Sequence, residues 1–263
     1  MFGNSSGLKM RLAIFVIMAA VTYFGYLGKT QVNPITGESQ KVGMTAEQEV
    51  AMGLQSAPQM AQEYGGLYQS NEVQDYVKKV GAKLVANSEA GTSPYQFDFH
   101  ALADEKTINA FALPGGQIFI TMALLSQLKS EDQLAGVLGH EIGHVINRHS
   151  AEQMAQTDFY QGLAGAVSAA TTDPYSGAGM GQIAQYVAQM KLMKFGRDDE
   201  LESDNYGIKY MISANYNPEE MIGVMEILAK SSGGKERDEF SSTHPSPENR
   251  ITKIREAIAK YKK

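Results

Sequence analysis

The pentapeptide His140-Glu141-Ile142-Gly143-His144 constrains the fold more than any other part of the sequence. Histidines four apart lie on one face of a helix, so both imidazoles can reach a single ion at about 2.0–2.1 Å while the adjacent Glu141 can meet a water there. Leu138, Ile142 and Val145 flank them with apolar surface, which puts this helix inside a domain. Ser130 with Gln133 forms a capping-box pattern that opens it. The chain has no cysteine, which excludes disulfides and thiolate nucleophiles and leaves His, Asp and Glu as the strong ligands for a transition metal.

A catalytic zinc takes three protein ligands and keeps a fourth position for water. The extended pattern with a third histidine on the same segment needs glycine at position 147 and histidine at 150, where the sequence has Asn147 and Ser150. His149 lies about 140° around the helix from His144 and cannot turn to the same ion without a break in that helix. The acidic segment from Asp198 to Asp204 is the best remaining source. Glu200 and Asp204 share a helix face, so the first can bind the ion while the second orients a histidine through its free ring N–H. Glu202 points about 160° away from that face. A solvated acidic helix start is the competing reading, and it suits Asp198 and Asp199.

The 263 residues, 43% hydrophobic and 20% charged, are enough for a domain with a real core, and the formal charge of -6 argues against nucleic acid as a partner. Leu12 to Leu27 is an uncharged apolar run with Lys9 and Arg11 before it and Lys29 after it. As a helix it covers about 24 Å, short of the roughly 30 Å hydrocarbon core, between a signal-peptide core and a spanning anchor. Ala20-Val21-Thr22 is a poor cleavage pattern, which favours an uncleaved anchor, and the positive flank predicts a cytoplasmic N-terminus with the rest exported. The expected organisation is a signal anchor or signal peptide over 1–30, a linker over 31–43 carrying Asn33-Pro34 and Gly37, and one domain over 44–263.

Within that domain Thr45 and Gln48 form a capping box, and Val73, Tyr76, Val77, Val80 and Leu84 mark a helix over 71–87. Alternation over 95–121 around Pro114-Gly115-Gly116 predicts a small sheet with a tight turn, and His100 is a strand-face residue with no assigned role. The Gly/Ser-rich stretch 172–181 reads as a surface connector or a lid loop; helical patterns resume from Gln182. Asn217-Pro218 caps a further helix, and 247–263 is a basic amphipathic one. No repeat of 20–50 residues is visible, against a helical-repeat module in this sequence.

Four segments resemble the gluzincin metallopeptidases of family 48: Asn109-Ala110-Phe111-Ala112 with Pro114-Gly115-Gly116, Leu138 to Val145 with Arg148-His149, Glu200 to Asp204, and His244 to Arg250. They stand in the family's order from about residue 70 onward, and the E-x-E-A-D signature departs only in Ser203, small for small. The resemblance implies an α+β, mainly α zincin-like domain with a small β-sheet beside the active-site helix, preceded by one N-terminal membrane segment. It implies that His140, His144 and Glu200 bind one Zn²⁺ per chain, that Glu141 is general base and acid, and that Asp204 stands behind the ligands. Arg250 would pair with the acidic wall of the site. His244, otherwise an ordinary loop histidine before Pro245, resembles the residue that in some exported members occludes the zinc or contacts the reacting carbonyl.

Asn109 to Ala112 would offer an exposed strand edge to extended peptides, a sequence-tolerant mode that suits unfolded or unassembled polypeptides. The implied activity is that of a zinc metalloendopeptidase of protein quality control in the bacterial cell envelope, anchored in the inner membrane with its catalytic domain on the periplasmic side, or secreted there. Processing of prenylated C-termini inside the membrane would need several spanning helices, and this sequence offers one candidate. A zinc-bearing chaperone or assembly factor with little proteolytic activity is the alternative from another class, and Glu141 argues against it, because a structural zinc has no use for a base.

Overall fold

A computed structural model of the chain describes residues 5–171, 193–231, 237–246 and 248–262. The Gly/Ser-rich stretch 172–181 and the beginning of the helical pattern after it lie outside these residues. The chain divides into two compact units.

The smaller unit comprises the described residues up to Met44 and those from Ala151 to Thr171. Helix α1 (Ser5–Gly28) carries an apolar stretch over Lys9–Gly28, 20 residues with mean hydropathy 1.8 and none of it buried. Twenty residues of helix measure about 30 Å, so the apolar stretch is long enough to cross a bilayer, longer than the uncharged run alone gives. The segment expected to be a linker is a two-stranded antiparallel hairpin, β1 (Thr30–Val32) with β2 (Ser39–Lys41). Its turn is closed by Asn33, whose Oδ1 accepts from the backbone of Ile35 at 2.9 Å and Thr36 at 3.2 Å. Asn-Pro and Gly thus mark a tight turn rather than slack chain.

The larger unit begins at Thr45, the cap of helix α2 (Ala46–Glu63), with both bonds of the Thr45–Gln48 capping box formed. Helix α3 (Asn71–Ala86) buries Val77, Val80 and Leu84. Then come β3 (Asp98–Leu102), β4 (Thr107–Ile108), β5 (Ala110–Ala112) and β6 (Gln117–Thr121), with sheet order β3-β6-β5. β5 and β6 are antiparallel with Phe111 opposite Phe119, whereas β3 runs parallel to β6 with Phe99 opposite Ile118. Gly115 and Gly116 turn the hairpin at φ 81° and 113°, and a side chain on Gly115 would strike the Val50 backbone.

After the short α4 (Met122–Leu125) comes α5 (Glu131–Ile146), buried at every position from Gln133 to Ile146. Ser130 caps it, but the box is incomplete: the Gln133 side chain accepts from Lys129 N, not from the cap residue. α5 ends at Asn147, and α6 (His149–Thr171) starts after Arg148, whose φ is 58°. Helices α7 (Arg197–Ser213), α8 (Glu220–Ser231), the single turn α9 (Phe240–Thr243) and α10 (Arg250–Tyr261) follow, with β7 (Arg237–Asp238) beside β4. α5 is the hub, packed against α3, α7, α8 and β5.

Candidate metal centre

The approach of α5 to α7 is set by small residues. A Cβ on Gly143 would lie 2.9 Å from the Ser203 carbonyl oxygen, and one on Gly207 would lie 3.0 Å from the His140 nitrogen. Glycine at 139, 143 and 207 and serine at 203 therefore let the two backbones touch, which carries Glu200 and Asp204 to the histidine face of α5.

There His140 Nε2 stands 3.0 Å from His144 Nε2 and 3.4 Å from Glu200 Oε2, with His144 Nε2 3.5 Å from Glu200 Oε1. Ligands at 2.0–2.1 Å around a tetrahedral ion are spaced about 3.3–3.4 Å from one another, so these separations fit the edges of one coordination polyhedron. His244, reached through α9, brings Nδ1 to 3.0 Å from Glu200 Oε1 and 3.4 Å from His140 Nε2. The four residues are all buried, each offering a ligand atom within 4.8 Å of the others'. Nitrogen and carboxylate donors packed so closely, in a chain without cysteine, suit a divalent transition metal.

Behind the donors stand groups that hold them. Asp204 Oδ1 accepts from His140 Nδ1 at 2.9 Å, and Arg250 grips Asp204 through Nε at 2.7 Å and Nη2 at 2.9 Å. Arg250 Nη1 also lies 3.1 Å from Glu200 Oε2. On the other side His144 Nδ1 lies 2.9 Å from His149 Nδ1, and His149 Nε2 lies 3.1 Å from Glu202 Oε2. Phe195 stacks on His144 with centroids 4.1 Å apart, and Phe240 stacks on His244 at 4.4 Å.

Burial opposes charge on His140, but the hydrogen bonds and charges of Asp204 and Glu200 prevail and push its pKa up to about 9. Burial holds His144 well below its ordinary value. Burial works against the Glu200 carboxylate too, yet the charge of His244 and the bonds from His140, His144 and His244 hold its pKa well below the usual range. Burial works against the Asp204 carboxylate as well, and the charges and hydrogen bonds of Arg250 and His140 together keep its pKa low. Glu141, with 0% exposure and no hydrogen-bond partner on either oxygen, goes the other way: burial raises its pKa against the pull of His244 and His140. Its Oε1 lies 3.9 Å from His244 Nε2.

Beside His244 opens a cavity of about 120 Å³, lined mainly by Met60, Tyr64, Phe111, Met193, Phe195 and Glu239. Tyr64 donates to Glu239 Oε2 at 2.7 Å, and Asn109 Nδ2 donates to the Tyr64 hydroxyl at 3.1 Å. β5 is the edge of its sheet among the described residues, with Ala110 and Ala112 buried and Phe111 half-exposed toward this cavity. Just before it, β4 pairs in parallel with β7, Thr107 with Arg237 and Ile108 with Asp238, as a separate two-stranded sheet.

His140, His144, Glu200, Asp204 and Arg250 thus lie together, Glu141 lies beside them, and His244 stands among the donors. Arg250 is buried to 2% exposure. His100 keeps to the strand face, stacked on Phe119. Sequence reasoning set His149 and Glu202 aside on the geometry of a continuous helix and passed over Phe195, Tyr64 and Glu239. Asn147, a residue type at home at helix ends, was the one local signal that α5 stops before His149.

Histidines one helical turn apart, a carboxylate from a second helix and a buried free carboxylate beside them define the HExxH class of metallopeptidase site. The sequence profile of peptidase family M48 matches residues 71–258, and the chain belongs to this family of metallopeptidases. It is 31% identical over 247 residues to the beta-barrel assembly-enhancing protease of Yersinia pestis, covering 91% of this chain and 50% of that protein. It is 32% identical over 241 residues to the mitochondrial metalloendopeptidase OMA1 of Schizosaccharomyces pombe, covering 90% and 68%. With the beta-barrel assembly-enhancing protease of Escherichia coli the identity is 30% over 188 residues, 68% of this chain and 38% of that one. The chain therefore spans half or less of the bacterial relatives' length.

Proposed function

We propose that this chain is a zinc-dependent metalloendopeptidase of the cell envelope that cleaves misfolded or unassembled polypeptides. The convergence of His140, His144 and Glu200 on one point, with the Glu141 carboxylate beside it and without a hydrogen-bond partner, carries the reading. These three residues would hold the ion and Glu141 would move the proton. Zinc at this point would polarise the scissile carbonyl and acidify the attacking water. Glu141 would take the proton of that water and return it to the leaving amine, a role open to a carboxylate buried beside the site with no hydrogen-bond partner. Asp204, fixed by Arg250, keeps His140 in the tautomer whose Nε2 is free for the ion. An extended substrate would add along β5 through Asn109 to Ala112 and set a side chain into the cavity by Phe111 and Tyr64. His244 would have to withdraw from Glu200 to admit it.

The names of the bacterial relatives support the envelope assignment, and α1 supports an anchor there, with the catalytic unit on the periplasmic side. One observation favours the alternative, a zinc-bearing assembly factor: His244 supplies a fourth donor, as in the closed set of a structural site. Glu141→Gln decides between them. On the peptidase reading the variant keeps its zinc and loses chelator-sensitive cleavage of unfolded casein; undiminished cleavage refutes the mechanism.

A further inference from the structure

We propose that Glu202 and His149 form a relay that orients His144, making both of them positioning residues for the metal centre; the proposal rests on His144 being a ligand through Nε2. Its starting point is that His144 Nε2 faces His140 and Glu200, so the proton of a neutral His144 ligand sits on Nδ1. That N–H meets His149 Nδ1 at 2.9 Å, and His149 must accept there. A neutral imidazole that accepts at Nδ1 carries its own proton on Nε2, where Glu202 Oε2 receives it at 3.1 Å. Every proton in the chain from carboxylate to ligand is thereby placed. The opposite polarity in neutral rings would set the lone pair of His149 Nε2 against the Glu202 carboxylate and put a proton on the nitrogen that faces the ion.

The backbone is shaped to make this contact. On a continuous helix His149 would face away from His144. Instead α5 ends with the Asn147 side chain on the Gly143 carbonyl at 2.9 Å, and Arg148 turns the chain in the left-handed region at φ 58°. Such a conformation costs a non-glycine residue about 1–2 kcal/mol and persists where its surroundings enforce it. Here Arg148 is held by the buried Glu49, its Nε 2.8 Å from Glu49 Oε1. Ser203, the departure from the family signature, adds a hydroxyl 3.3 Å from His149 Nδ1. His140 is thus oriented by a carboxylate directly and His144 by a carboxylate acting through a second histidine. Loss of such an outer partner typically weakens metal affinity 10–100-fold.

The test uses the full chain. Zinc dissociation constants come from chelator competition for wild type, Glu202→Gln, His149→Gln, the double variant and His144→Ala, with circular dichroism to check folding. Glu202 is partly exposed, its side chain at 27%, which makes Glu202→Gln the variant safest for folding. Nitrogen-15 spectra of the zinc-loaded wild type read the tautomers. The relay predicts a loss of about 10–100-fold in each single variant, little further loss when Glu202→Gln is added to His149→Gln, and His149 protonated on Nε2 alone. Affinities within twofold of a zinc-binding wild type, or a proton on His149 Nδ1, overturn the relay and leave the ligand reading standing. Wild type without zinc, or His144→Ala binding as well as wild type, overturns the ligand reading and the relay with it.

Discussion

Replacing Gly143 by alanine tests how the site is assembled. The new Cβ would stand 2.9 Å from the carbonyl oxygen of Ser203 and 3.0 Å from its Cα, whereas ordinary contact begins near 3.4 Å. Both obstacles are backbone, so no rotamer relieves them, and α5 and α7 must part by about 0.5 Å, a strain of the overpacking kind that costs about 1–3 kcal/mol. Helix propensity returns up to about 1 kcal/mol of that. Gly136→Ala in the same helix is the control: its Cβ would meet the Met221 and Met211 sulfurs at 3.5 and 3.7 Å and the Met221 Cα at 3.7 Å, all ordinary contacts, so it keeps the propensity gain without the clash. The two variants should differ by about 1–3 kcal/mol in urea unfolding. Glu200 and Asp204 ride on α7, so Gly143→Ala also moves them from the histidines; since a 1 Å misplacement can cost about 100-fold, half of that predicts roughly tenfold slower casein cleavage and weaker zinc binding. If Gly143→Ala matches Gly136→Ala in stability and zinc affinity, close packing of α5 on α7 does not set the site.

Burial holds Glu49 up at about 7 against its ordinary 4.5, the ion pair with Arg148 failing to recover the desolvation cost. The folded chain therefore keeps a proton that the unfolded chain has lost between those values, so this group's contribution, whole below pH 4.5, declines through the window to about pH 7. The decline amounts to about 3 kcal/mol. Glu49→Gln, of equal size, should lack it, and parallel unfolding curves at pH 5 and 7.5 for both proteins would disprove the assignment. Arg250→Met leaves Asp204 and Glu200 buried without their cation and should cost about 3–5 kcal/mol in urea unfolding at pH 7.5; a loss under about 1 kcal/mol would show that the pair is not needed to hold them.

Wherever function rests on regular helix geometry, the sequence sufficed. His140 and His144 at i and i+4, and Glu200 and Asp204 on another helix, could be placed by counting, and the apolar neighbours of α5 foretold its burial. Gly115-Gly116 announced its turn because only glycine adopts those angles without strain. The misses share one cause, departure from regularity. His149 was judged along a helix that stops two residues earlier, and its return to His144 depends on Arg148 in a conformation no residue count predicts. Glu202 was set aside as pointing away, and it does point away, toward His149. The hairpin over 30–41 is too short to show alternation, and the pairing of β4 with β7 joins residues about 130 positions apart through two short strands. His244 stands in the cluster because α9 turns the chain toward Glu200, a tertiary fact with no local signature.

Metal stoichiometry tests the central claim most directly. The full chain, loaded with zinc and freed of excess by gel filtration, is analysed by mass spectrometry beside Glu200→Ala and His140→Ala, each checked for folding. The account predicts one zinc per wild-type chain and a near-total loss in both variants. Full retention of zinc by folded Glu200→Ala would contradict it, because the carboxylate from α7 would then be a neighbour of the ion and not one of its ligands.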